Sequence, residues 1–202
     1  MSKIDRAACQ ITAKSEKGYT TYGTGFFIKK DLILTCAHVI NADSEENDQI
    51  DRIEILNCDD QNGLSLTARL VAKCDTCDCA ILQLNEDFSS AAILNLYNSE
   101  VTIGEKINVF GYPADSQGLA IGEDLNGKIA RFVEDSRTSV HDTILDLNNF
   151  DGNTKYEGFS GSPVVNEYNQ VISIVKHQGA RDLGSVSIKK AAAFLEKNNI
   201  EI

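Results

Sequence analysis

Short runs of apolar residues, many of them alternating with polar ones, recur along the chain at close intervals. ACQITAK, GTGFFIKK and LILTCAHVI come first, and IDRIEILNC, LTARLVAKC and CAILQLN follow. The second half carries KINVFGYP, GKIARFV, TILDLN, SPVVN and QVISIVKHQ. Gly, Asn and Asp stand between these runs, where they supply the backbone angles that turns need. Many short strands punctuated in this way predict an all-β sandwich or barrel. Only SIKKAAAFLEKNNI, near the C-terminus, joins helical spacing to good helix formers, and it predicts a short helix over 188–198. The strand pattern breaks at NLYNSEVTIGE, residues 95–105, where polar residues and Gly104 interrupt it. The break predicts an N-terminal unit, 1–97, and a C-terminal unit, 98–187, of about six strands each. The acidic stretch NADSEENDQID, residues 41–51, reads as a solvated loop. Two adjoining barrels matter for function because a site can form in the cleft between them.

Composition narrows the class. With 202 residues, 42% of them hydrophobic, the chain can fill a sizeable core and is not expected to be disordered. The formal charge of −11 is spread almost evenly over the two halves, and no Lys/Arg run interrupts it. That balance excludes nucleic acid and anionic membrane surfaces as expected partners. The start, MSKIDRAACQ, lacks the apolar core of a signal peptide, and no run approaches the roughly 18 apolar residues of a membrane span. These features predict a cytoplasmic protein. All six cysteines, Cys9, Cys36, Cys58, Cys74, Cys77 and Cys79, lie in the first half. In a reducing compartment they are expected as free buried thiols rather than as a disulfide framework. Cys74, Cys77 and Cys79 have a spacing that can ligate zinc, with Cys58 or Cys36 as a fourth ligand, or serve redox regulation. The cluster has no second matching pair, and it brackets Asp78, which a metal there would crowd. No metal and no cofactor is predicted.

The chemistry is carried by a serine between glycines, GFSGSP at residues 158–163. A serine hydroxyl is a poor nucleophile until a base takes its proton, and the base needs a carboxylate to fix its tautomer. The tetrahedral intermediate then needs aimed hydrogen-bond donors. Ser160 supplies the hydroxyl. Gly158, without a Cβ, allows its N–H to turn inward beside that of Ser160. The chain has three histidines, His38, His141 and His177. His38 ends the apolar run LILTCAHVI and reads either as a base or as a satisfied core group. Asp78, in CDCAILQL, reads either as the orienting acid or as a turn cap, and Asp75 is the competing acid. The alternative α/β-hydrolase arrangement needs G-x-S-x-G and the order Ser, acid, His. Here Ser162 stands at the fifth position, and only His177 follows the serine.

The order His38, Asp78, Ser160 and the segments around them resemble the trypsin-like serine peptidases of the chymotrypsin double-barrel fold. GTGFFIKKDLILTCAHVI is similar to the strand–turn–strand that delivers that family's histidine. CDCAILQL is similar to its D-x-A-x-L segment, and GFSGSPVVN with QVISIV to its serine loop and the strands beyond. GEKINVFGYP and GKIA resemble the first strands of its second barrel, most of all in bacterial glutamyl endopeptidases and less closely in HtrA-type proteases. The resemblance implies two six-stranded barrels with a short C-terminal helix, the first barrel carrying His38 and Asp78 and the second Ser160. It implies His38 as general base, Asp78 as orienting acid and Ser160 as nucleophile, with the backbone N–H groups of Gly158 and Ser160 as oxyanion donors. The implied reaction is endopeptidase hydrolysis of protein or peptide substrates through an acyl-enzyme, without a cofactor. The competing expectation is a protease-fold binding module whose chemistry has been lost.

The chain departs from the secreted members of that family. They place an Asp before the nucleophile, where it pairs with a new amino terminus, and Phe159 stands here. Activation by that insertion is therefore not expected. Control is expected instead from loop ordering, oligomerisation, a regulatory partner or an appended domain, as in a bacterial stress or defence protein. The resemblance also places the walls of the pocket for the side chain before the scissile bond. They would include Thr154, Lys155, Val175, Lys176 and His177. Thr154 stands where a trypsin has its acid, and Val175 where glutamyl endopeptidases have a histidine. The expectation is cleavage after uncharged or acidic residues, best after apolar ones, and little after Arg or Lys.

Overall fold

A computed structural model describes residues 2–41, 49–56, 65–116, 121–133, 141–148, 156–178 and 182–202, with the side chains of 116, 177 and 178 left out. Six strands form the first barrel: β1 Ala8–Ser15, β2 Thr20–Phe27, β3 Leu32–Cys36, β4 Ile50–Leu56, β5 Leu66–Cys74 and β6 Cys79–Leu84. They close in the order β1-β2-β3-β6-β5-β4, every pair antiparallel. Closure leaves no sheet edge exposed and turns alternate side chains into a common interior. Ile11, Phe27, Ile33, Ile55 and Leu82, which the strand register places on one face, are among the residues that fill it, each fully buried.

A two-residue strand, β7 Asn95–Leu96, leads to the second barrel. That barrel comprises β8 Lys106–Gly111, β9 Glu123–Phe132, β10 Thr143–Leu147, β11 Pro163–Val165, β12 Gln170–Gln178 and β13 Leu183–Ser187. Its order is β11-β8-β9-β10-β13-β12, and pairing of β11 with β12 closes it. β7 adds a short parallel pairing to β12 at Gln170 and Val171, so the connecting segment is tied to the second barrel. Val109, Leu145, Phe159 and Val164 are among the residues of its separate core. The whole is the chymotrypsin-like all-β architecture with one short C-terminal helix, as the sequence leads one to expect.

Two helices flank the barrels. α1, Lys3–Ala7, is a single turn closed by a capping box between Ser2 and Asp5. One turn has no periodicity to read, so the sequence pattern does not predict it. α2, Ile188–Lys197, starts where Ser187 Oγ accepts from the Lys190 N–H at 3.0 Å. The Ser187 hydroxyl donates in turn to Asp142 at 2.6 Å, which anchors the start of the helix to the approach of β10. Ile188, Ala191 and Leu195 of α2 belong to the core of the first barrel rather than the second. Among the described residues no helix is long and apolar enough to cross a membrane. The part of the acidic stretch over 42–48 lies outside the described residues, and β4 begins at Ile50.

Candidate active site

The site is assembled where the two barrels meet. β3 ends at Cys36, and one 3-10 turn, Ala37–Ile40, carries His38 out of the strand. Asp78 closes the tight turn between β5 and β6 with a φ of 50°, in the left-handed region. Among non-glycine residues, Asp and Asn enter that region most readily. Three hydrogen bonds join the two turns. The Ala37 N–H donates to the Asp78 carbonyl at 3.0 Å, and the His38 N–H donates to Oδ1 at 3.0 Å. His38 Nδ1 lies 2.7 Å from Oδ2. The Asp78 side chain is 7% exposed and the imidazole 43%. Burial alone would push the Asp78 carboxyl up. The hydrogen bond and charge of His38, together with the Lys176 ammonium, outweigh it and hold the carboxyl below its usual range. An ionised carboxylate only accepts, so Nδ1 carries the proton and Nε2 is left as the ring's acceptor.

Ser160 sits in a loop built by backbone bonds and one aromatic anchor. Phe159 is 1% exposed and packs edge-on against Tyr156, ring centroids 5.4 Å apart, inside the second barrel. The Phe159 N–H donates to Tyr156 and its carbonyl accepts from Ser162. Behind the serine, the Gly161 N–H donates to the Val175 carbonyl at 2.8 Å and the Val175 N–H to the Ser162 carbonyl at 2.9 Å. Gly158 and Gly161 have φ of 95° and 90°. A Cβ at Gly158 would overlap the Tyr112 carbonyl, and one at Gly161 the Thr24 carbonyl, so neither position accepts a side chain.

Thr24 of β2 grips this loop from the other barrel. Its N–H donates to the Ser160 carbonyl at 2.8 Å, and its hydroxyl donates to the Gly158 carbonyl at 2.8 Å while accepting from the Tyr112 N–H at 3.0 Å. Both loop carbonyls are thereby held toward Thr24. Among the described residues, the N–H groups of Gly158 and Ser160 have no acceptor. Both residues line an open cavity of about 1160 Å³ together with His38, Tyr22, Arg69 and Glu157. The Ser160 hydroxyl donates to the Lys176 carbonyl at 3.1 Å and is not hydrogen-bonded to His38.

The remaining candidates fall in different places. Val175 is 2% exposed and serves as a strut behind Ser160. Lys176 Nζ lies 3.4 Å from Asp78 Oδ2, its side chain 19% exposed. Thr154 and Lys155 lie outside the described residues, and of His177 only the backbone, in β12, is described. His141 lies against Gly184 of β13 and does not line the cavity of His38 and Ser160. Asp75 is exposed, 3.8 Å from Lys73. Sequence reasoning did not single out Thr24. Nothing local set it apart from Thr20 and Thr21 of the same strand.

Cys9, Cys36, Cys74, Cys77 and Cys79 are free thiols, and Cys58 lies outside the described residues. Cys36 and Cys74 flank Cys79 on neighbouring strands, yet Cys74, Cys77 and Cys79 do not gather as a ligand set. Among the described residues the group of potential ligand atoms lying within 4.8 Å of one another is Cys36, His38 and Asp78. These groups already satisfy each other's surroundings. Burial, and after it the charge of Asp78, pushes the Cys36 thiol well up, so it stays protonated and donates to the Val175 carbonyl at 3.2 Å. A cation there would also face the Lys176 ammonium.

Residues 23–174 match the family model described as a trypsin-like peptidase domain. The chain is 29% identical over 196 residues to a glutamyl endopeptidase of Staphylococcus aureus, covering 90% of this chain and 55% of that protein. It is 31% identical over 175 residues to an uncharacterized protein of Sinorhizobium fredii, covering 81% of this chain and 23% of that one. The chain thus spans about half the length of the endopeptidase and under a quarter of the second relative. A solved protease of M. tuberculosis in its active form superposes with a TM-score of 0.76 at 19% identity, over 98% of this chain and 83% of that one. A serine endoprotease of Yersinia pestis superposes with a TM-score of 0.70 at 20% identity, over 98% and 66%. At these identities the solved structures speak for the fold.

Proposed function

The chain belongs to the trypsin-like peptidase family, and from that premise we propose that it is a serine endopeptidase acting through an acyl-enzyme. The observation that carries the reading is His38, held 2.7 Å from Asp78, lining the same cavity as Ser160, where the N–H groups of Gly158 and Ser160 have no acceptor among the described residues. In this reading His38 Nε2 removes the Ser160 proton as Oγ attacks the scissile carbonyl. For that transfer the hydroxyl must rotate away from the Lys176 carbonyl toward the imidazole. Catalytic hydrogen bonds are often long without substrate and tighten in its complex. The N–H groups of Gly158 and Ser160 stabilise the oxyanion, and Asp78 stabilises the imidazolium. His38 then protonates the leaving amine, and water hydrolyses the ester by the same relay.

Protein substrates are the expected partners. The five described cysteines are free thiols although three of them meet on adjacent strands, which supports a reducing, cytoplasmic setting, and an endopeptidase in that setting would need regulation. The engagement of Ser160 Oγ with Lys176 favours one second reading, a binding module on a protease fold whose hydroxyl stays turned from its base. A fluorophosphonate probe separates the two. Labelling that disappears in Ser160→Ala and in His38→Ala is expected. Absence of labelling in the folded protein, with substrates of every class uncut, would overturn the endopeptidase reading.

A further inference from the structure

The His38 imidazole and the Lys176 ammonium converge on one carboxylate oxygen. Asp78 Oδ2 lies 2.7 Å from His38 Nδ1 and 3.4 Å from Lys176 Nζ, while Oδ1 accepts the His38 N–H. Lys176 comes from β12 of the second barrel, and its stem crosses to an acid of the first. Its side chain is mostly buried, so solvent and salt screen the contact weakly. The carbonyl of the same residue holds the Ser160 hydroxyl. One residue thus touches the nucleophile with its backbone and the acid with its side chain.

We propose that Lys176 is a positioning residue of this site, whose ammonium competes with the imidazolium of His38 for Asp78 and keeps the base neutral to lower pH than a His–Asp pair alone would. The proposal rests on the endopeptidase reading for its consequence in catalysis, though not for its electrostatics. A carboxylate beside an imidazolium forms a neutral pair. With Lys176 already beside the carboxylate, protonating His38 leaves a net positive charge in a half-buried site, which costs free energy. The surrounding groups do not cancel this. Cys36 on β3 and Cys79 on β6 are buried thiols whose ionisation is pushed up, and each adds no charge while protonated. Cys77, beside Asp78, is instead lowered to about 6, chiefly through its hydrogen bond with Cys79, so it changes charge within the range followed below, alike in the parent and in each Lys176 variant. Across the cavity, Arg69 and Lys73 on β5 oppose Asp51 on β4 and Glu157, two charges of each sign.

The test follows the His38 ring by NMR titration of histidine-labelled protein, its signal assigned by its loss in His38→Ala. Alongside it runs the pH profile of kcat/KM on a peptide substrate. In Lys176→Met the ring midpoint and the acid limb of activity are both expected to rise by roughly one pH unit, a tenfold change in proton affinity. Lys176→Arg, which keeps the cation, should hold the ring midpoint. Lys176→Gln removes the charge but keeps a polar end, and serves in place of the methionine variant if that one does not fold. A midpoint in the folded Met or Gln variant within about 0.3 unit of the parent protein overturns the proposal. A ring that shifts in a protein without turnover would instead refute the endopeptidase reading and leave this one standing. Turnover with superimposable acid limbs in the parent and Lys176→Met would do the reverse.

Discussion

Thr24 and Gly158 are joined across the two barrels by a buried hydrogen bond, 2.8 Å from the threonine hydroxyl to the glycine carbonyl. The same hydroxyl accepts from the Tyr112 N–H, so one oxygen satisfies two backbone groups beneath the serine loop. Thr24→Val keeps the shape and removes both partners. Leaving a buried polar group unpaired costs about 1–3 kcal/mol, so a loss of about 2–4 kcal/mol is expected by urea denaturation. Thr24→Ser keeps the hydroxyl and should cost about 1 kcal/mol for the methyl. Equal losses in the two variants would show that packing, not the hydroxyl, matters here.

Gly161 and Gly104 make a controlled pair, with φ of 90° and 89°. A Cβ at Gly161 would overlap the Thr24 carbonyl and the Thr35 hydroxyl, whereas a Cβ at Gly104 meets nothing within 4 Å. Gly104→Ala should therefore cost only the left-handed conformation, about 1–2 kcal/mol. Gly161→Ala adds a clash with main chain that cannot rotate away, and should cost about 3 kcal/mol or more and displace Ser160. Thermal unfolding of both variants gives the comparison. Similar midpoints would mean that β2 yields to the added methyl.

Asp78 and Asp75 share one turn and differ in what they touch. In the proposed mechanism Asp78→Asn presents His38 with the wrong tautomer, and kcat should fall by about 10³–10⁴ with the fold retained. Asp75 is 74% exposed and lies 3.8 Å from Lys73. Asp75→Asn should leave kcat within about twofold, as exposed ion pairs contribute little. A large loss in Asp75→Asn with Asp78→Asn still active would reverse the assignment of the acid.

Cleavage preference follows from where the cations lie. Lys176 is turned to Asp78, and Val175 is buried behind Ser160. The pocket for the residue before the scissile bond is proposed to take uncharged side chains, apolar ones first. An Arg or Lys there would need a buried acid to offset its desolvation. Profiling of cleavage sites in a denatured proteome should show apolar residues at that position. A majority of Arg or Lys would refute it.

The strands were largely legible because their runs are apolar or alternate, and barrel closure asks for little else. β13 was not. Gly184 and Ser185 carry no hydrophobic signal, yet both are buried where β13 lies between β10 and β12. In the site, His38, Asp78 and Ser160 stood out because each lies in a local motif that chemistry explains. Lys176 read as lining a pocket. Its approach to Asp78 depends on how β12 of one barrel lies against the β5–β6 turn of the other, which no local pattern encodes. Thr24 was silent for the same reason, since its partners are 88 and 134 residues away.

The depressed ionisation of Asp78 fixes how its contribution to stability depends on pH. Its carboxyl is held below the ordinary value by His38 and Lys176 despite burial. An unfolded Asp titrates near about 3.9. Because the folded value lies lower, the unfolded chain binds the proton more readily in that range, and stability falls as pH falls. The contribution is complete above about pH 5 and is lost as pH drops through the unfolded and then the folded value. Asp78→Asn cannot titrate, so it lacks this dependence. Followed from about pH 5 downward, the difference in urea midpoint between the parent protein and Asp78→Asn should shrink steadily below about pH 4. A difference that widens on acidification would mean that burial dominates, that the Asp78 carboxyl is raised in the folded protein, and that neither His38 nor Lys176 holds it ionised.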